Sequence, residues 1–106
     1  MQKPNVIYKL DWLTEVMTNE LKDLVDKNLF KEDSKMSSSL KKIYKKGGDI
    51  EVVVKVIVKK VANGYNGTFN FEFDGKALEY KREWFEILSD LVNHAFDKFK
   101  QKILAK

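Results

Sequence analysis

Hydrophobic positions in this chain recur first every second residue, then every third or fourth, then every second again. In NVIYKLDWL, Val6, Tyr8 and Leu10 alternate with other side chains, which predicts a short strand with those three on one face. From Thr14 or Thr18 the spacing lengthens. Val16, Met17, Leu21, Leu24, Val25, Leu29 and Phe30 fall at three- and four-residue steps, the stripe of an amphipathic helix. Either threonine can cap it, because a hydroxyl accepts from an orphaned backbone N–H of the first turn. Segment 31–49, KEDSKMSSSLKKIYKKGGD, is polar and serine-rich. It promises at most a short helical turn through SLKKIYKK, stopped by Gly47-Gly48.

Period two returns at EVVVKVIVKK. Val52, Val54, Val56 and Val58 share one face of a strand over 50–61, and Val53, Lys55, Ile57 and Lys59 share the other, a mixed and basic face. ANGYNG reads as a turn-rich connection. TFNFEF reads as a strand with Phe69, Phe71 and Phe73 together, and Asp74-Gly75 as a type I′ turn into a third strand, KALEYKR. Short connections make these three an antiparallel meander. In EWFEILSDLVNHAFDKFKQKIL, the residues Trp84, Phe85, Leu88, Leu91, Val92, Ala95, Phe96, Phe99 and Ile103 form one helical stripe. The order is therefore β-α-β-β-β-α. The fold class is α+β, with a four-stranded, mostly antiparallel sheet and two helices on one face. Its expected core includes Val52, Val54, Val56, Phe69, Phe71, Leu91 and Phe96.

Composition narrows the class. A chain of 106 residues holds one domain, 1–106, and not two. The absence of cysteine excludes disulfides and thiolate zinc sites. The start MQKPNVIYKL lacks a signal-peptide core, and no apolar run approaches membrane-spanning length. A soluble, cytoplasmic protein with no membrane partner is expected. Residues 1–39 hold six lysines against seven acids, so the net charge of +4 is carried by the rest of the chain.

Catalytic chemistry has little to stand on. The only histidine, His94, falls near Asp90 and Asp97 on the polar side of the last helix, where a solvated imidazole is expected. There is no Gly-rich phosphate loop, no HExxH and no nucleophile triad order. Glu72, Asp74 and Glu79 flank a hairpin, where carboxylates are commonplace. No enzyme and no cofactor or metal is expected. Trp12, Trp84 and the Phe69-Phe71-Phe73 row have the chemistry of base-stacking platforms. Their spacing instead fits apolar strand and helix faces, so core packing is expected of all five, with Trp84 opening the last helix.

Lysines are the remaining signal. LKKIYKK supplies Lys41, Lys42, Lys45 and Lys46; the valine-rich strand supplies Lys55, Lys59 and Lys60; YKR supplies Lys81 and Arg82; the last helix ends on Lys98, Lys100, Lys102 and Lys106. Such a balance is compatible with nucleic-acid phosphates.

TNELKDLVDKNL, Thr18 to Leu29, resembles the first helix of the ribosome hibernation promoting factors, the sigma-54 modulation or ribosome-associated inhibitor proteins. That helix reads T-x-x-L-R-D-Y-V-E-K-K-L, and the match falls on Thr18, Leu21, Lys22 for Arg, Asp23, Val25, Asp26 for Glu, Lys27 and Leu29. WFEILSDLVNHAFDKFKQKILAK is similar to the family's closing helix, with its aromatic start and lysine-rich end. KREWFE replaces the acidic sequence usual before that helix, segment 31–49 is longer than usual, and the match is to the short forms, without a dimerisation domain.

The resemblance implies a non-catalytic protein that lodges in the small ribosomal subunit, where messenger and transfer RNA would sit, and silences translation. By position it carries over Lys22 and Lys27 on the first helix and Lys98, Lys100 and Lys102 at the basic end. Charge alone adds Lys55, Lys59, Lys81 and Arg82. The expected partner is the small subunit or another structured RNA, with Lys55 and Lys59 on the sheet face opposite the helices. The rival is a small protein-binding inhibitor or adaptor of phage or plasmid type. A double-stranded RNA-binding domain is a second rival, faintly echoed by Lys81-Arg82.

Overall fold

The computed structural model describes residues 4–31, 34–45 and 50–104. Strands β1 (Asn5–Asp11), β2 (Val52–Val61), β3 (Gly64–Phe73) and β4 (Lys76–Phe85) form one sheet in the order β1-β2-β3-β4. β1 lies parallel to β2, and the other two pairings are antiparallel. The helices are α1 (Glu15–Leu29), α2 (Ser37–Lys45) and α3 (Leu88–Leu104).

The sheet is dry on one face. Val52, Val54, Val56 and Val58 of β2 are buried, as are Phe69 and Phe71 of β3, and Leu91, Phe96 and Phe99 of α3 pack into the same core. The phenylalanines meet edge-on or tilted, which suits the charge distribution of their rings: Phe69 and Phe96 lie 6.3 Å apart, Phe71 and Phe99 5.5 Å. All seven expected core residues are buried. Asp74 and Gly75 both adopt positive φ, 49° and 74°, as a type I′ turn requires. Thr14 is the cap of α1, its hydroxyl accepting from the Met17 N–H at 3.1 Å.

The structure corrects four expectations. There are three helices and not two: the serine-rich segment forms α2, which buries Ser39, Leu40 and Ile43 behind a fully buried Met36. The apolar residues of that segment were too few to advertise a helix, but they are spaced to reach the core from one side. The Gly47-Gly48 stop lies outside the described residues.

β3 begins at Gly64, so only Ala62 and Asn63 turn. The glycines of ANGYNG mark close approach instead of a loop. A Cβ on Gly64 would lie 2.5 Å from the Phe85 carbonyl oxygen, and one on Gly67 would lie 2.8 Å from a Leu91 methyl of α3.

Trp84 and Phe85 belong to β4, not to α3. A β-bulge gives β4 an extra residue between the pairs Gly67–Arg82 and Tyr65–Phe85, and the Trp84 N–H donates to Asn66 Oδ1 at 3.0 Å. Trp12 and Trp84 are therefore not core; they are 80% and 60% exposed. Val16 and Phe30, placed on the buried stripe of α1 by spacing, are also exposed.

Phe96 has no exposed surface and touches both Phe69 and Phe99. Phe96→Ala should cost about 3–5 kcal/mol in chemical denaturation, and a loss below ~1 kcal/mol would place this ring outside the core.

Candidate nucleic-acid interface

The sequence-derived cations do not gather on one surface. On α1, the Lys22 ammonium lies 5.5 Å from the ring centre of Tyr8 in β1, and Lys27 pairs with Asp23 at 3.3 Å. On the open face of the sheet, Lys55 pairs with Glu72 at 3.2 Å across the β2–β3 ladder. Lys59 and Lys81 share that face, with Lys59 opposite Asn66 and Lys81 opposite Thr68. The same face carries Asp11, Glu72 and Glu79, so its charge is mixed along its length.

Arg82, Lys98 and Lys102 belong to β4 and α3, which pack side by side. Side chains alternate along β4, so Lys76, Leu78, Tyr80 and Arg82 point toward the helix layer. Phe85 packs edge-on against His94 at 5.4 Å, while Leu78 lies beside Lys102 and Ile103. These two contacts set α3 antiparallel to β4 and bring Lys98 level with Tyr80 and Arg82. Lys98 and Lys102 are one helical turn apart and share a side. Arg82 lies 5.9 Å from the Tyr80 ring centre, where the aromatic face holds its guanidinium. Lys100 projects from the other flank of α3 and is half-buried.

At the hairpin end this flank widens into a half-open pocket of about 320 Å³. Lys42 of α2, Lys76 of β4 and Lys102 of α3 ring it, and Ile43, Phe73, Leu78 and Ile103 line it. None of its described lining residues is acidic. The Lys42 ammonium donates to the Ile103 carbonyl at 2.9 Å, which satisfies one of the last carbonyls of α3 and ties α2 to it. Lys76 was missed by the sequence reading because it looked like the plain first residue of a hairpin strand. Its signal was parity: it is in phase with Leu78 and Tyr80, which face the helices.

Lys35 has a structural task. It pairs with Asp97 at 3.0 Å and donates to the Asn93 carbonyl, while the buried Asn28 amide donates to the Leu24 carbonyl and to Asn93 Oδ1. These contacts join α1 and the start of α2 to α3. His94 is exposed, and among the described residues no group of three His, Cys, Asp or Glu side chains is placed to hold a metal.

Two tyrosines have raised phenol pKa values. Burial, and then the Asp26 carboxylate, pushes Tyr8 up to about 12, and burial raises Tyr44. A phenol raised on folding stabilises the protein while it stays protonated. That contribution is complete below pH 10, the ordinary value for tyrosine, and is lost as pH climbs toward 12. Denaturation midpoints should therefore fall across that window, and Tyr8→Phe should flatten the fall. An equally steep fall in the variant would remove Tyr8 as its source.

No protein-family model matches the chain, and no curated protein matches it. Among solved structures, the N-terminal domain of Protein Y from Thermus thermophilus is similar, with a TM-score of 0.52 at 12% identity over 93% of this chain and 94% of that one. The chain therefore has an α+β fold similar to that of the Protein Y N-terminal domain.

Proposed function

We propose that the protein is a non-catalytic regulator that binds structured RNA, foremost the small-subunit rRNA of the ribosome, and silences translation in the cytoplasm as hibernation factors do. The observation that carries this reading is the lysine-ringed pocket, where Lys42, Lys76 and Lys102 converge from three elements with no acid among the described lining residues. Cations held this way match a phosphate backbone and read no sequence. The likeness of Thr18–Leu29 to the family's first helix and the similar fold support the same partner. Among the described residues, no helix is long and apolar enough to cross a membrane.

The protein-binding module remains the second reading, favoured by the exposure of Trp12 and Trp84, a residue type that anchors protein interfaces.

The phosphate reading is tested by charge reversal. Lys76→Glu with Lys102→Glu should weaken binding to structured RNAs of unrelated sequence alike. It should also flatten the plot of log affinity against log salt, by about one unit of slope per lost contact. Both side chains are at the surface, so the melting curve should barely move. An unchanged salt slope would remove this flank from the interface.

A further inference from the structure

The chain has two tryptophans, and the fold sets both at one end of the sheet. Trp12 follows the last residue of β1, and Trp84 lies near the end of β4, the two edge strands. Register places them in one row: Asp11 pairs with Lys59, Lys59 pairs with Asn66, and Asn66 accepts from the Trp84 N–H. Three strand spacings separate the edges, about 14 Å.

Both residues adopt left-handed backbone, with φ of 63° and 61°, which is strained for a bulky side chain. Neither regains that cost by burial, since both are largely exposed. A strained and solvated indole adds nothing to the core, so its use lies outside folding.

The surface between them is mixed in charge, with lysines in the majority. Lys9, Lys59 and Lys81 lie on the open sheet face at this end, in the row of the tryptophans or the row below it. None of the three is in an ion pair among the described residues, although Asp11 and Glu83 are nearby. Lys55, one row further down, is matched by Glu72.

Two exposed indoles at the edges of one end of the sheet, with Lys9, Lys59 and Lys81 on the strands at that end, suit a ligand of stackable rings joined by anionic links. Single-stranded RNA has that chemistry, and a duplex, whose bases are already stacked, does not. A protein partner would be expected to bury an apolar centre depleted of charge. Here Ile57 is the one large apolar side chain among Lys9, Lys59, Asn66, Thr68 and Lys81.

We propose that Trp12 and Trp84 are stacking contacts for unpaired nucleotides of the bound RNA, with Lys9, Lys59 and Lys81 meeting the phosphates between them. This rests on the RNA-binding reading and adds a single-stranded part to the substrate. Arg82 faces the helix layer and Lys81 the open face, so the β4 edge gives one RNA a path between both surfaces.

With only two tryptophans in the chain, intrinsic fluorescence reports this surface alone. Titration with oligouridylate should quench it. Trp12→Ala and Trp84→Ala should each weaken oligouridylate binding by about five- to a hundredfold, the range of a lost base stack, and leave affinity for a fully paired RNA unchanged. Trp12→Gly and Trp84→Gly should lose the same binding without lowering the melting temperature, because glycine accepts positive φ.

Oligouridylate that binds without quenching, and binds the alanine variants as tightly as wild type, would overturn the stacking contacts while leaving the RNA reading in place. Failure of both paired and unpaired RNA to bind at low salt would remove that reading and this proposal together. A protein partner lost on either alanine substitution, with oligouridylate binding intact, would assign the tryptophans to a protein interface.

Discussion

The valine row of β2 is the constraint from which the rest of the molecule follows. Val52, Val54, Val56 and Val58 are at most 1% exposed, and each buried valine is worth about 1.5–3 kcal/mol. Because β2 pairs on both sides, only the sheet faces are available to cover that row. The Phe69–Phe96 and Phe71–Phe99 contacts supply the cover through α3. Alternation then commits Lys55 and Lys59 to the other face, and a one-residue slip of β2 would drive lysines into the core. The alternation of valines and lysines in β2 is thus one decision about which face stays dry.

That decision also determines where cations collect. α3 runs back along β4, the edge strand, so the helix-facing residues at the rim of β4 are only partly covered. Lys76 emerges there beside Lys102, and α2 closes the end with Lys42. Lys55, by contrast, sits within a ladder that brings Glu72 opposite its neighbour and within ion-pair reach. Lysines of one sequence class thus have different electrostatic surroundings. An ion-paired surface lysine such as Lys55 offers less charge to a phosphate.

Much of the fold was legible because long periodic runs are unambiguous. The valine alternation, the Phe69-Phe71 face, the Asp74-Gly75 turn and the stripe from Leu88 to Ile103 each named their element correctly. Three features were not legible, for physical reasons. The glycines of ANGYNG carry the same letters whether they bend a chain or admit a neighbour, and only the Phe85 backbone and the Leu91 side chain reveal the second role. Trp84 and Phe85 lie in phase with the helical stripe that follows them, so periodicity could not show the β-bulge that keeps them in β4. α2 is held by tertiary contacts of Met36, Leu40 and Ile43 more than by local pattern. The candidate site was half visible: Lys102 was carried over from the family resemblance, but its convergence with Lys76 and Lys42 depends on strand parity and helix direction together.

We propose that a basic flank on a fold similar to the Protein Y N-terminal domain holds ribosomal RNA. Co-sedimentation with purified small ribosomal subunits across a salt series tests it most directly. The protein should pellet with the subunits at low salt and be released steeply as salt rises, because each phosphate contact returns a counterion to solution. Protein that stays in the supernatant at low salt, or pelleting that ignores salt, would contradict the account.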